Sequence, residues 1–164
     1  MMSELITVGI SDYKITQAPE TLVTYALGSC IGTSLFDESK MIGGLSHIML
    51  PENTKKQNAT GSERMKYADT AIEDMLNELI RRGARRESIK AKIAGGANMF
   101  NFSENSILDT IGARNIEAVK NELKRLNIPL TGEDTGKNYG RTVYFDVGSG
   151  IMKIQSLGKI VNNL

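Results

Sequence analysis

Residues 21 to 50, TLVTYALGSCIGTSLFDESKMIGGLSHIML, alternate strand-forming segments with breaks. β-Branched and apolar residues fill three short segments of this stretch, at positions 21–27, 31–36 and 41–50. Glycine or aspartate interrupts the sequence between them, a pattern typical of β-strands joined by turns. The connections are too short for helical crossovers, so we expect antiparallel hairpins here.

Outside this stretch the sequence predicts two long helices. An apolar stripe at helical spacing runs over residues 65–80, with Ser62 as a capping residue before it and Gly83 at its end. A second stripe covers about residues 113–126, and Pro129 follows it. Each helix has one apolar face, so each is expected to pack on a sheet.

The remaining apolar segments predict further strands, for a total of about eight or nine. They are residues 6–10, residues 89–94, a short strand at 129–131, and a hairpin that pairs RTVYFDV with IMKIQSL across GSG at 148–150. We therefore predict one layered α/β (α+β) domain over residues 1–164, with mixed or antiparallel sheets. Because strands come first, the order of elements argues against a doubly wound nucleotide-binding fold.

The composition is that of an ordinary globular chain without a marked charge. The 164 residues carry 20 basic and 19 acidic side chains, a net charge of +1 at neutral pH, which gives no reason to expect nucleic acid as a partner. No apolar run approaches the ~18 residues of a membrane span, and the N-terminus lacks the basic region of a secretory signal. A single cysteine indicates a reducing compartment, so we expect a cytoplasmic protein without membrane insertion.

Cys30, the only cysteine, and His47, the only histidine, are the candidates for catalysis. A turn at Gly28 and Ser29 would leave the thiol at the start of a strand. On adjacent antiparallel strands the two side chains would oppose each other at ~5 Å between Cβ atoms. A free thiol is mostly protonated at neutral pH and needs a partner such as an imidazole to react. If the two groups form a thiolate–imidazolium pair, the pKa of the thiol is lowered.

Each candidate also has an ordinary structural explanation. Cys30 can be a small buried hydrophobe, and His47 can be a strand histidine whose ring is satisfied by a carbonyl. Thr24 lies roughly 20 Å from Cys30 if the chain between them is extended. It is therefore interpreted as an ordinary strand threonine unless residues 27–29 form a turn.

Other motifs carry weaker signals. One histidine and one cysteine are too few for a conventional zinc site, and KIAGGANMF lacks the lysine and spacing of a phosphate loop, so neither a metal nor a cofactor is expected. The adjacent carboxylates Glu133 and Asp134 are interpreted as part of a solvated turn. Phe100 and Phe102 are candidates for core packing or for a partner contact. The polar stretch 51–64 has a length that is often functional.

Several blocks, taken in order, resemble one family. TLVTYALGSCIGTSLFD, GGLSHIMLP, KYADTAI, AKIAGGANMF, IGARN and EDTGKNYGRTV resemble the CheD family, the chemoreceptor glutamine deamidases of bacterial and archaeal chemotaxis. The blocks cover most of the chain. The resemblance implies a protein-glutamine glutaminase that regulates adaptation by acting on the cytoplasmic domain of methyl-accepting chemotaxis receptors. It also implies a β/β/α layered sandwich similar to the catalytic domain of the cytotoxic necrotizing factor toxins.

The resemblance further implies the residues of the site. The family's catalytic cysteine, histidine and threonine fall on Cys30, His47 and Thr24, and whether Thr24 acts through its hydroxyl or its carbonyl stays open. In the implied mechanism a γ-glutamyl thioester forms, and backbone N–H groups near Ser29 and Cys30 hold the oxyanion. Lys137 stands where we expect a second glycine, which puts the local turn in doubt. The 51–64 loop follows His47 and is a candidate for the entrance of the site.

Two other functions stay open from the sequence. CheD-like proteins are also understood to bind the phosphatase CheC, so the chain could be primarily a non-catalytic binding module that modulates CheC and receptor signalling. A general small-amide hydrolase could use the same cysteine and histidine. Comparable activity on free glutamine and on receptor protein would favour that second alternative.

Overall fold

The computed structural model describes residues 3–53, 60–99 and 110–164. Ten strands and two α-helices occur within these residues. The elements are β1 (Leu5–Thr7), β2 (Tyr13–Gln17), β3 (Thr21–Leu27), β4 (Ile31–Asp37), β5 (Ile42–Ile48), α1 (Ala68–Arg81), β6 (Ile89–Gly95), α2 (Ile111–Arg125), β7 (Leu130–Thr135), β8 (Arg141–Asp146), β9 (Met152–Ser156) and β10 (Lys159–Asn163). Short 3-10 helices lie at Gly61–Lys66 and Arg86–Ser88.

The strands form two five-stranded sheets that stack on each other. The first sheet has the order β1-β3-β8-β9-β10 and the second has the order β2-β5-β4-β6-β7. Both are mixed, because β1 and β3 are parallel, as are β6 and β7, while the other pairs are antiparallel. Both helices pack on the second sheet. The predicted β/β/α sandwich is thus confirmed, whereas the single-domain interpretation of residues 1–164 stays a prediction.

The second sheet is the middle layer, and its central strands are buried on both faces. All seven residues of β5 are buried. Side chains along a strand alternate between faces, so Ile42 and Ile48 pack in the cluster beneath the helices, while Leu45 packs in the cluster between the two sheets. His47 is two residues from Leu45 and therefore faces the first sheet. This places it in the interior of the sandwich.

The structure confirms one predicted hairpin of residues 21–50 and corrects another. β4 and β5 pair antiparallel from Ile31 opposite Ile48 to Asp37 opposite Ile42, as expected. The expected pairing of β3 with β4 is wrong, since residues 28–30 carry the chain from the first sheet into the second. β3 instead pairs with β8 and β1. The C-terminal hairpin of β8 and β9 is confirmed, and β2 and β10 were not predicted.

Both helices are present, with shifted first residues. α1 begins at Ala68, because residues 61–66 form a separate 3-10 helix. Ser62 lies inside that 3-10 helix, so it does not cap α1 as predicted. α2 begins at Ile111, where Thr110 Oγ1 accepts a hydrogen bond from Ala113 N at 3.2 Å. Gly83 adopts a left-handed φ of 108° after α1, in agreement with its predicted role.

Candidate active site

His47 is the buried polar group at the centre of the site. It lies one residue before the end of β5, and its side chain is 1% exposed. Its partner in the ladder is Gly32 of β4. A Cβ on Gly32 would lie 3.1 Å from Leu27 and 3.7 Å from Thr24, so the missing side chain lets β3 approach closely. The glycine therefore helps to bring the imidazole against the first sheet.

Thr24 orients the ring of His47 through its hydroxyl. Thr24 Oγ1 lies 2.7 Å from His47 Nδ1, and it donates a hydrogen bond to the carbonyl of Val8 at 2.8 Å. A hydroxyl has one proton to donate, and it is used on Val8, so the oxygen accepts from Nδ1–H. The contact assigns the tautomer with the proton on Nδ1. The lone pair of the imidazole is therefore on Nε2.

Thr24 reaches His47 across the stacked sheets, and the extended chain between Thr24 and Cys30 does not prevent this. Near the end of β3 a β-bulge interrupts the pairing, since Thr24 is opposite Val143 but Leu27 is opposite Arg141. Ala26, inside the bulge, has a left-handed φ of 58°. The unusual backbone conformation that we expected at Gly28 thus occurs at Ala26 instead.

Cys30 immediately precedes β4 and is half-buried. We expected Cys30 directly opposite His47, but Gly32 occupies that position. If the β4–β5 register is continued by one residue beyond Ile31, Cys30 is opposite Met49. Residues two apart on a strand share a face, so Cys30 lies diagonally from His47 on the same side of the sheet. Its packing against the cluster between the sheets agrees with this placement.

The AGGAN segment, residues 94–98, binds the backbone around Cys30. Gly96 N donates to the Cys30 carbonyl at 2.9 Å, and Ala97 N donates to the Gly28 carbonyl at 2.9 Å. Gly95 has a φ of 116°, and a Cβ there would collide with the Cys30 carbonyl. Gly95 is required for this close approach, a role that its sequence motif did not indicate.

Both candidate groups are neutral in the free protein. Burial raises the pKa of the Cys30 thiol and lowers the pKa of His47 to about 4. The lowered thiol pKa was expected only if a thiolate–imidazolium pair forms, and these shifts do not favour that pair in the free protein. His47 Nε2 is buried and accepts no hydrogen bond from the described residues. A neutral imidazole and a protonated thiol thus lie diagonally from each other on the same side of the second sheet.

The buried imidazole makes stability depend on pH. Burial lowers the pKa of His47 from 6.5 to about 4 on folding. Between these values the unfolded chain binds more protons, so the free energy of unfolding falls as the pH drops from 6.5 to about 4 and keeps its full value above 6.5. This pKa shift corresponds to a change of about 3 kcal/mol in the free energy of unfolding over that pH range.

We expect His47→Gln to remove this part of the pH dependence, because a glutamine does not titrate. Urea unfolding of both proteins at pH values on either side of 6.5 measures it. Carboxylates that titrate in the same range contribute equally to both proteins. Parallel curves of unfolding free energy against pH would show that His47 is not buried as a neutral group.

A second polar cluster corrects the interpretation of residues 133 and 134 as a solvated turn. Asp134 lies on β7 and accepts a hydrogen bond from Nε of Arg141, a fully buried side chain, at 2.9 Å. Glu133 forms an ion pair with Lys120 at 2.9 Å. Where the turn was in doubt, the chain bends at Lys137, whose φ of 60° is the left-handed conformation that glycine adopts most easily.

Some predicted features fall outside the described residues. They are Phe100, Phe102 and residues 54–59 of the candidate entrance loop. Across residues 3–53, 60–99 and 110–164, no group of three or more histidine, cysteine, aspartate or glutamate side chains is arranged to hold a metal ion. Over the same ranges, neither helix combines the length and the apolar character needed to cross a membrane.

A buried imidazole that a third group orients, with a thiol on the same face of the sheet, resembles the arrangement of a cysteine hydrolase. Comparison with known proteins gives the family. The family model described as CheD chemotactic sensory transduction matches residues 49–156. That range begins after the three candidate residues, whereas alignments with whole relatives span almost all of the chain. The chain belongs to the CheD family.

Two relatives illustrate the similarity. A protein of Clostridium botulinum (strain Hall) named probable chemoreceptor glutamine deamidase CheD is 49% identical over 153 residues, which are 93% of each chain. A protein of the same name from Lachnoclostridium phytofermentans is 44% identical over 158 residues, 96% of this chain and 97% of the other. A crystal structure of the Bacillus licheniformis hypothetical protein YfiH aligns with a TM-score of 0.47 at 17% identity, over 76% of this chain and 50% of that one.

Proposed function

We propose that this chain hydrolyses glutamine side chains of chemoreceptors to glutamate, and that it acts in the cytoplasm as a regulator of chemotaxis adaptation. The observation that carries the proposal is the buried Nε2 of His47, which has no hydrogen-bond partner among the described residues, while Thr24 holds the other ring nitrogen. Membership of the CheD family, whose relatives are named probable chemoreceptor glutamine deamidases, supplies the substrate class.

The first half of the reaction forms a thioester. His47 Nε2 takes the proton of the Cys30 thiol as the sulfur attacks the carbonyl carbon of the glutamine side chain. Backbone N–H groups at Ser29 and Cys30 are proposed to stabilise the oxyanion. The protonated imidazole then gives its proton to the departing nitrogen. The C–N bond breaks, ammonia leaves, and a γ-glutamyl thioester to Cys30 remains.

The second half restores the enzyme. His47, neutral again, takes a proton from water as the water oxygen attacks the thioester carbon. The C–S bond breaks, and the proton returns to the sulfur of Cys30. The net reaction consumes one water and converts one amide into a carboxylic acid and ammonia. The acid ionises at neutral pH, so the receptor surface gains one negative charge.

A protein substrate must rest on the residues around Cys30 while its glutamine side chain enters. Two exposed methionines flank that position. Met49 is two residues after His47 and is 41% exposed, while Met99 is 49% exposed and lies against Gly28. Methionine side chains are flexible and adapt to varied apolar surfaces. We therefore propose that they contact the receptor helix that carries the glutamine.

We expect the double substitution Met49→Gln with Met99→Gln to raise KM for receptor protein about tenfold and to leave kcat within about twofold, because it removes apolar contact but no reacting group. Steady-state deamidation rates measure both constants. Met41→Gln is the matched control, since Met41 is 36% exposed at the opposite end of the β4–β5 hairpin. An equal change in KM for the control would contradict the assigned contact.

The proposed function itself is tested with a purified chemoreceptor cytoplasmic domain. The domain is incubated with the wild-type protein, and peptide mass spectrometry then identifies each glutamine that has become glutamate. Free glutamine is assayed in parallel. Conversion of particular receptor glutamines, with little activity on the free amino acid, is the expected result. No conversion, or a higher rate on free glutamine, would overturn the proposal.

A second proposal is that the chain also binds the phosphatase CheC. Its support is the exposed apolar surface at Met49 and Met99, which is open to a protein partner as well as to a substrate. Cys30→Ala separates the two roles, because it removes the nucleophile and leaves this surface intact. Unchanged affinity for CheC in the inactive protein would support separable roles. Loss of both in a folded variant would contradict them.

A further inference from the structure

Asn115 is a fully buried amide in α2 that contacts both halves of the candidate active site. Its Nδ2 donates to the carbonyl of Ser29 at 2.9 Å and to the carbonyl of Met49 at 3.0 Å. Ser29 is the residue before Cys30, and Met49 is two residues after His47. One side-chain amide therefore joins the segment that carries the thiol to the segment that carries the imidazole.

α2 comes close enough to make these bonds because Gly112 has no side chain. A Cβ on Gly112 would lie 2.5 Å from the Gly96 carbonyl and 2.6 Å from the Ala97 carbonyl. These two residues belong to the AGGAN segment, which binds the backbone of residues 28 and 30. The start of α2 thus rests on the segment that binds the backbone around Cys30.

Packing of α2 does not by itself require an amide at this position. Val119 and Leu123, which are 0% and 1% exposed, anchor the same face of the helix in the core. Asn115 Oδ1 is buried and accepts no hydrogen bond from the residues that the structure describes. A buried polar atom without a partner costs free energy that an apolar side chain would not cost. The amide of Asn115 therefore destabilises the fold through its unpartnered Oδ1. What an apolar side chain could not supply here is the pair of hydrogen bonds that Nδ2 donates.

We propose that Asn115 is a positioning residue that sets the distance between the Cys30 thiol and His47 Nε2. The inference rests on the proposed function, since the distance matters only if the imidazole takes the thiol proton. Proton transfer needs the two groups in a defined geometry, and a misplacement of about 1 Å can reduce a rate by about 10²-fold. Substrate binding does not involve Asn115, because the side chain is buried.

The test compares three substitutions in the full chain. Asn115→Leu and Asn115→Asp keep the branched shape of the side chain but remove the two donated hydrogen bonds, and the carboxylate of Asp also faces two carbonyl oxygens. Val119→Ala is the matched control, because it opens a cavity one turn further along the same buried face and leaves both bonds in place. Thermal unfolding ranks the loss of stability, and all rates are measured well below the unfolding temperature of each variant.

We expect both Asn115 variants to lower kcat for receptor deamidation about 10- to 100-fold with KM within about twofold, because the misplaced groups are those that react. Val119→Ala is expected to lose stability and to keep its kcat. An unchanged kcat in folded Asn115→Leu, or an equal loss of kcat in Val119→Ala, would overturn the inference.

Alkylation of Cys30 by iodoacetamide as a function of pH gives a readout that needs no receptor. Without the two hydrogen bonds of Asn115, the segment around Ser29 is released from α2 and the thiol becomes less buried. The alkylation curve of Cys30 is therefore expected to move to lower pH in Asn115→Leu but not in Val119→Ala. If the wild type deamidates no receptor, the proposed function fails, and the alkylation curves still decide whether Asn115 positions the thiol. Superimposable curves would overturn the inference.

Discussion

A Cys30→Ser protein is expected to fold normally and to have no measurable deamidase activity. A hydroxyl is a far weaker acid than a thiol, and the neutral His47, with a pKa of about 4, is too weak a base to activate it. We expect the rate of receptor deamidation to fall by at least about 10⁴-fold, as for loss of other enzymatic nucleophiles. Peptide mass spectrometry measures the rate.

Two comparisons make this result specific. An unchanged thermal unfolding temperature in Cys30→Ser excludes a loss of fold, and Cys30→Ala shows whether the new hydroxyl retains any reactivity. No other cysteine in the chain can replace the thiol. Deamidation within tenfold of wild type in either variant would mean that another group attacks the amide.

The second large effect is expected for Thr24→Val, which keeps the shape of the side chain and removes its oxygen. The Nδ1–H of His47 then loses its acceptor at 2.7 Å inside the protein. The proton can move to Nε2, which leaves no lone pair directed at the thiol. We expect kcat to fall by about 10² to 10³-fold, less than for the nucleophile, because some molecules still carry the productive tautomer.

Thr33→Val is the control for the loss of a buried hydroxyl. Thr33 is also fully buried, on β4, but its Oγ1 has no hydrogen-bond partner among the described residues. The control is therefore expected to keep its kcat and its stability. Full activity in Thr24→Val would contradict the orienting role of the hydroxyl.

The sequence predicted those elements of the fold that depend on interactions between neighbouring residues. Segments 31–36 and 41–50 contain strand-forming residues around a short turn, so the β4–β5 hairpin was predictable, and the apolar stripes located both helices within a few residues. Nothing in residues 28–30 shows that the chain leaves one sheet and enters the other. The pairing of β3 therefore could not be read from its own residues, because β8 lies more than a hundred positions later.

The site was predictable to a different degree for each residue. Cys30 and His47 stand out because each is the only residue of its type. Thr24 was identified through the family resemblance, because its contact with His47 joins two sheets and has no signature in sequence spacing. The neutral state of the pair was missed, because the pKa shifts come from burial, which depends on how the layers pack.

The division of the site between two sheets has a consequence for folding. Thr24 and the carbonyl of Val8 belong to the side of the first sheet, His47 belongs to the second, and Cys30 lies where the chain crosses between them. Neither sheet alone contains both the imidazole of His47 and the hydroxyl that orients it. In the proposed mechanism, a nascent or partly folded chain is therefore not expected to attack amides, whether its own or those of other proteins, before the two sheets have packed together.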